Sequence, residues 1–275
     1  MQYFRASYRL VIMLGIVALN VRKTAKRYNQ SNEASLKKAK EVMSNCFCKL
    51  LDLLGVEVEV EGVPPEKNVI YVSNHRSYLD GLIIGSLTGS FFVIKSETAR
   101  WFLLGNAIKK TANIFVNRNS LSDRTASGIK VLRRVRSGFS VCIFPEGTTC
   151  QGPGCREMHD GIFRLAAKAG ITVVPVTVEY ERPDVAWLGD DRFVSHFLRC
   201  FGVKNTKAKI KVGPGFASTD AAYLKKACMH HINTASLRIY NEFRMNDFTP
   251  CNVSFTQARW SLYSAFRTNS ESTGN

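Results

Sequence analysis

Valines and glutamates alternate where the folded body begins. Val56, Val58 and Val60 interleave with Glu57, Glu59 and Glu61, a period of two that predicts a strand with one face buried. Short apolar runs at residues 69–73, 91–94, 114–116, 139–144, 172–178 and 207–212 predict further strands. Between them apolar positions recur at the helical period. Helices are expected at 79–87, 100–109, 122–136 and 162–169, the third capped by Ser122 or Asp123 with Leu121, Ile129, Leu132 and Val135 on one side. A long helix is expected over 220–244, striped by Leu224, Cys228, Ile232, Ala235, Ile239 and Phe243. Pro175 demotes its apolar run to an edge or bulged strand, because proline lacks the ladder's N–H. Strands alternating with helices predict a layered α/β domain.

The first 54 residues follow another pattern. Residues 10–19 are apolar, with Arg5 and Arg9 before them and Arg22, Lys23, Lys26 and Arg27 after. This run is shorter than the ~20 residues a spanning helix needs. It predicts a helix dipped into one leaflet, with its basic residues at head-group level. Next, Leu36, Ala39, Met43, Cys46, Leu50 and Leu54 keep helical spacing, with Lys37, Lys38, Glu41 and Asn45 opposite. The expected organisation is a membrane-associating helical pair at 1–54, an α/β domain at 55–245 and a polar tail at 246–275.

Charge narrows the partners. Thirty-eight Lys and Arg against 22 Asp and Glu give a net +16, which calls for an anionic partner. The basic residues are not interleaved with aromatics on a stacking platform, which argues against nucleic acid and for an anionic membrane surface or phosphorylated substrates. The eight cysteines show no paired C-x-x-C set with matching histidines, so no metal site is expected. They read as reduced thiols of a cytosol-facing protein.

Four segments carry candidate chemistry. In Asn74-His75-Arg76-Ser77-Tyr78-Leu79-Asp80, His75 and Asp80 are five positions apart. On one continuous helix they would point ~140° apart. They meet only if His75 lies in the turn after the strand and Asp80 in the first turns of the helix. Asp80 then fixes the imidazole tautomer and leaves Nε2 free as a general base. In Phe144-Pro145-Glu146-Gly147-Thr148-Thr149 a strand ends in a glycine turn, where ligands bind in open α/β sheets. In Ile114-Phe115-Val116-Asn117-Arg118, an arginine just past a strand suits a phosphate. The fourth is Val173-Val174-Pro175-Val176. Each alone reads equally well as a cap, a turn, a surface charge or a strand irregularity.

In this order, the four segments resemble the four blocks of the glycerolipid acyltransferase family, the lysophosphatidate acyltransferase group in particular. The likeness covers roughly residues 50–215 and is sharpest in 74–80 and 144–149. It implies a mixed central sheet with helices on both faces, preceded by an N-terminal two-helix membrane motif. It implies His75 and Asp80 as the catalytic pair, and Arg118, Glu146, Gly147 and Thr148 around the acceptor's glycerol phosphate. Pro175 would line the acyl or acceptor pocket. The implied reaction moves an acyl group from acyl-CoA or acyl carrier protein to a lysophospholipid hydroxyl. The thioester is already activated, so the resemblance implies neither metal nor cofactor. Two positions depart from the family: Ala112 where a glycine often opens the third block, and Thr148 where lysophosphatidate acyltransferases often carry arginine. The second leaves other acceptors open, including glycerol 3-phosphate, other lysophospholipids and lyso-aminolipids. A His–Asp esterase or thioesterase using water is the remaining alternative. Ser77 or Tyr78 would serve a covalent route only with a second histidine nearby, and His159 is the candidate.

Overall fold

The computed structural model describes residues 1–25, 32–65, 68–100, 105, 112–189 and 191–245. The expected helix at 100–109, the tail beyond 245 and Cys251 fall outside the described residues, apart from isolated positions. Seven strands form one sheet: β1 Val56–Glu61, β2 Ile70–Ser73, β3 Phe91–Lys95, β4 Ile114–Val116, β5 Val141–Ile143, β6 Val173–Tyr180 and β7 Thr206–Val212. Their order is β1-β7-β6-β2-β5-β3-β4, with every pairing parallel except β6 with β7. The mixed α/β fold expected from the sequence is the fold observed.

Helices cover both faces, which is why the central strands read as continuous apolar runs. On one face lie α1 Gln2–Ala25, α2 Glu33–Leu54, α3 Tyr78–Thr88 and α6 Phe193–Cys200; on the other lie α4 Leu121–Arg136, α5 Gly161–Ala169 and α7 Ala221–Arg244. Strand β2 shows the division within three residues. Tyr71 enters the core beneath α2 and α3, while Ile70 and Val72 enter the core beneath α5 and α7. Met13, Leu50, Leu51 and Leu54 belong to the first core, so the N-terminal helices share their packing with the body. Helix α2 buries its expected stripe, begins at an Asn32 cap whose side chain accepts from Ser35 N–H, and ends at Gly55.

Several details differ from the sequence expectation. Helix α4 is capped by Ser120, whose hydroxyl accepts the Asp123 N–H at 3.2 Å. The helix is rotated so that Ser127, Val131, Arg134 and Val135 face inward, while Leu121 and Ile129 are 71% and 46% exposed. Polar docking drives this rotation: Ser127 donates to the Phe115 carbonyl and Arg134 to that of Ala112. Ala112 itself packs in a small core with Phe91 and Phe139, and shapes no ligand loop directly. Helix α6 was not anticipated, although Phe193, Phe197 and Phe201 carry a helical period.

Pro175 lies in a central strand, paired with Val72 of β2, and not at an edge. Its carbonyl accepts from Gly213 N–H at 2.8 Å, just past the end of β7. The missing donor therefore falls where the β7 ladder gives way to a bend. A Cβ on Gly213 would lie 2.8 Å from the Pro175 ring and 2.5 Å from His231 Nε2, so only glycine allows this approach.

Helix α1 runs beyond the 10–19 apolar run. Gln2–Arg22, 21 residues of mean hydropathy 1.5, is long and apolar enough to cross a membrane. Its inward face is mixed: Met13 is buried, and Leu10, Leu14, Ile16 and Val17 pack against the core. Arg9 turns inward, donating to the carbonyls of Phe201, Val203 and Lys204 around the C-terminal end of α6. Phe4, Tyr8, Val11, Ile12 and Leu19 face outward and are exposed.

The outer strands are joined by charge. β1 and β7 pair Glu57 with Lys207, Glu59 with Lys209 and Glu61 with Lys211, the register expected from two alternating sequences. Lys209 is nearly buried and contacts Glu59 at 2.5 Å, Glu61 at 3.2 Å and Glu242 of α7 at 2.6 Å. Burial alone would raise Glu61, but bonds from Arg238 and Lys209 outweigh it and hold its carboxyl at about 2. Lys209→Met would remove the nearly buried cation shared by three carboxylates, of which Glu61 and Glu242 keep Arg238, and is expected to cost about 3 kcal/mol by urea unfolding at pH 7. Glu61 contributes stability above its ordinary value of 4.5, lost as pH falls towards about 2. A urea midpoint that stays constant across that window would contradict this account.

Candidate active site

Strands β2 to β6 run in one direction, so their C-terminal ends share one edge of the sheet. His75 follows β2, Arg118 follows β4, and Pro145, Glu146 and Gly147 follow β5. Three of the four sequence segments thus converge, while Pro175 lies within β6.

The turn after β2 is held by its neighbours. Asn74 imitates a strand residue, donating to the Val178 carbonyl and accepting the Val178 N–H, both at 2.9 Å. Arg76 is buried and forks onto Glu179, at 3.0 Å to one oxygen and 2.6 Å to the other. Burial alone would lower the Arg76 guanidinium; the paired Glu179 carboxylate outweighs it. Glu179 also accepts from Ser236 of α7, which anchors the pair to the far layer.

With the turn fixed, His75 and Asp80 meet as the sequence predicts. His75 Nδ1 lies 2.7 Å from Asp80 Oδ2. The same oxygen accepts the N–H groups of Arg76 at 2.7 Å and Ser77 at 2.9 Å. Asp80 Oδ1 accepts the Tyr180 hydroxyl at 2.6 Å. A carboxylate with four donors is an acceptor towards the imidazole, which assigns the proton to Nδ1 and the lone pair to Nε2. The imidazole stacks on Phe144, with ring centroids 4.1 Å apart, and its side chain is 23% exposed. Asp80 is fully buried.

The second segment forms the adjoining wall. Gly147 adopts φ +77°, a left-handed turn that brings its carbonyl to the Arg118 guanidinium. The space a Cβ would fill there is lined by Arg118 Nη1 at 3.4 Å and His159 Nε2 at 3.2 Å. Arg118 is half-buried, which lowers it from its ordinary value, with Glu97 acting in the opposite direction. Thr148 is exposed. Glu146 turns inward: its oxygens accept from the His75 N–H at 3.0 Å and the Cys150 thiol at 3.1 Å. Burial raises its carboxyl, against the donors and the Arg76 charge. Glu146 therefore couples the His75 turn to the 146–156 loop.

Tyr180, Glu179 and His196 escaped the sequence reading. Tyr180 and Glu179 sit side by side at the end of β6, and a Glu-Tyr pair closing an apolar strand was their only signal. His159, the candidate for a covalent route, lies beside Gly147, and its backbone N–H donates to the Pro145 carbonyl at 3.0 Å. The Tyr78 hydroxyl instead meets His196 Nδ1 at 3.1 Å, within an aromatic cluster with Trp187 and Phe193. Trp187 is tied to the turn by its N–H to the Arg76 carbonyl at 2.9 Å.

The segment from residue 55 to residue 179 matches the model of the Acyltransferase family. The match spans 125 of the chain's 275 residues and takes in all four segments. The family resemblance read from the four segments is thereby supported on most of the residues that carry it. The chain is 33% identical over 158 residues to a lyso-ornithine lipid O-acyltransferase of Pseudomonas aeruginosa, covering 56% of this chain and 61% of that protein. It is also 33% identical over 142 residues to a 1-acyl-sn-glycerol-3-phosphate acyltransferase of Borreliella burgdorferi, covering 50% and 57%. The chain thus spans less than two thirds of these relatives' lengths. The crystal structure of the 1-acyl-sn-glycerophosphate (LPA) acyltransferase PlsC from Thermotoga maritima superposes with a TM-score of 0.64. That match covers 86% of this chain and 94% of that one at 16% identity, and it establishes a shared fold.

Proposed function

We propose that this protein is an O-acyltransferase that moves a fatty acyl group from an acyl thioester to the free hydroxyl of a lysolipid. The observation that carries the reading is His75, oriented by Asp80, with Nε2 free beside a glycine turn flanked by Arg118 and His159. The acceptor hydroxyl gives its proton to Nε2 as its oxygen attacks the thioester carbonyl. The C–S bond then breaks, and the departing thiolate takes the proton back from the imidazolium. No acyl group resides on the protein. The acceptor we favour is 1-acyl-sn-glycerol-3-phosphate, giving phosphatidate, with acyl-CoA or acyl carrier protein as donor. Arg118 would bind the phosphate, with His159 beside it, Thr148 at the mouth and the Gly147 backbone allowing close approach. Pro175 would contribute to the wall of the acyl pocket. Glu146, engaged as it is, would act on the acceptor mainly through the loop it holds.

A second acceptor class has specific support. One relative is named for lyso-ornithine lipid, and Thr148 stands exposed where an arginine would strengthen a phosphate site. Labelled oleoyl-CoA offered with a panel of lysophosphatidate, glycerol 3-phosphate, other lysophospholipids and lyso-ornithine lipid decides between them.

The outward apolar face of α1, framed by basic residues, supports attachment to an anionic membrane surface with the site towards the cytosol. Its inward Arg9 favours a helix lying along the protein flank over one standing free across a bilayer.

Three outcomes are expected. His75→Ala should lower turnover by roughly 10²–10⁴ with lysolipid binding retained, and Asp80→Asn should add little to that loss in the double variant. Near-normal turnover in folded His75→Ala would sink the mechanism, whereas a stoichiometric acyl-protein in rapid quench would replace it with a two-step route. Arg118→Ala should raise the acceptor KM by roughly 10- to 150-fold and leave the donor KM nearly unchanged; equal damage to both would point to a folding role. Phe4→Asp with Val11→Asp should cut binding to anionic vesicles by at least about tenfold at unchanged thermal stability. Unaltered vesicle binding would remove α1 from the membrane interface.

A further inference from the structure

Asp80 is unevenly served by its own turn. Oδ2 takes three donors, from His75, Arg76 and Ser77, all within five residues of it in sequence. Oδ1 takes the Tyr180 hydroxyl, supplied by a strand 100 residues away. Tyr180 is no loose surface ring. Its backbone pairs with Ala208 as the last residue of the β6–β7 ladder, so the hydroxyl is delivered from a fixed position. The adjacent Glu179 fixes Arg76 and with it the peptide N–H that reaches Oδ2. Two consecutive residues of β6 thus control both oxygens of Asp80, one directly and one through the turn.

We propose that Tyr180 is a positioning residue for the dyad, and that its bond to Asp80 sets how readily His75 takes up a proton. The physical basis is charge sharing. A hydroxyl donating to Oδ1 draws negative charge away from Oδ2, which weakens the hold of Oδ2 on the imidazole Nδ1–H. Remove the hydroxyl and the carboxylate favours the imidazolium more strongly. A protonated His75 cannot act as a base, so activity then requires higher pH.

The surroundings leave few other titrating groups to confuse this effect. Facing Asp80 are His75 from the turn, Tyr180 and Glu179 from β6, and Cys142 from β5, with Tyr78 of α3 beside Tyr180; Glu146, its carboxyl raised by burial, accepts the His75 backbone N–H. Burial and the Asp80 charge push the Cys142 thiol far up, and the same two causes push the Tyr180 phenol far up. Burial also raises Tyr78. Glu179 is occupied by Arg76. Of this set only an imidazole ordinarily titrates near neutrality.

The inference rests on the acyl-transfer reading for its kinetic test alone. The test compares full-length wild type with Tyr180→Phe in pH–rate profiles, KM for each substrate and thermal unfolding. Turnover at neutral pH should fall about tenfold, reflecting one lost bond to a buried charged acceptor. Both KM values should stay within about twofold. The acidic limb should move up by roughly 0.5 pH unit. A merely structural tyrosine would lower the unfolding temperature and leave the limb in place, and that result overturns the proposal. A second variant guards against a folding defect. With 3-fluorotyrosine at position 180, shape is kept and the hydroxyl is a stronger donor, so the limb should move down; an unmoved limb here overturns the proposal as well. If the wild type acylates no lysolipid, the acyl-transfer reading fails separately. The effect of Tyr180 is then read from the His75 titration in ¹⁵N spectra, where the two variants must shift in opposite directions.

Discussion

Arg76 and Glu179 are both nearly out of water, and each would be costly to bury without the other. Their forked contact joins the turn after β2 to the end of β6, and Ser236 extends the connection to α7. Everything chemically active at this edge leans on that joint. The Arg76 N–H reaches Asp80, the Arg76 carbonyl holds Trp187, Nη1 reaches Cys150, and Nη2, already on Glu179, also donates to the Gly154 carbonyl in the facing loop. One side chain therefore sets the spacing between the His75 turn and the loop that follows β5. Ordinary surface ion pairs contribute little to a fold. This one acts through where it sits and how many backbone groups it leaves no freedom to move.

Much of the scaffold was legible because the physics is local. The Val–Glu alternation of β1 and the Lys alternation of β7 fix which faces are apolar, and their register follows from charge. The α7 stripe from Leu224 to Phe243 is buried as its period requires. The His75–Asp80 contact was legible for a related reason: the two lie close in sequence, and the apolar strand before them fixes where the turn must fall. The dyad's outer partner was not legible. Tyr180 meets Asp80 across 100 residues, and no spacing rule links a helix start to a strand end half a domain away.

The misreadings share a cause. Helix α4 was assigned an inward face by hydrophobicity, yet Ser127 and Arg134 face inward because bare carbonyls at Phe115 and Ala112 await donors. Pro175 was assigned to an edge by its missing N–H, yet the β7 strand ends beside it and asks for no donor there. In both cases the deciding groups were backbone atoms of another segment, which side-chain patterning does not record. Helix α6 went unread because its eight residues carry little more than two turns of the period.

The inward turn of Arg9 from α1 has a geometric corollary. Arg9 grips the carbonyls at the end of α6, where Phe201 packs 6.2 Å from Tyr78, three residues from His75. That short series of rigid contacts is a depth gauge. With α1 as the face towards lipid, the distance from the acyl-chain region to the dyad becomes a fixed dimension of the protein. A lysolipid held in the leaflet would then present its hydroxyl at one height, with selection among acceptors made by vertical reach before any headgroup is touched.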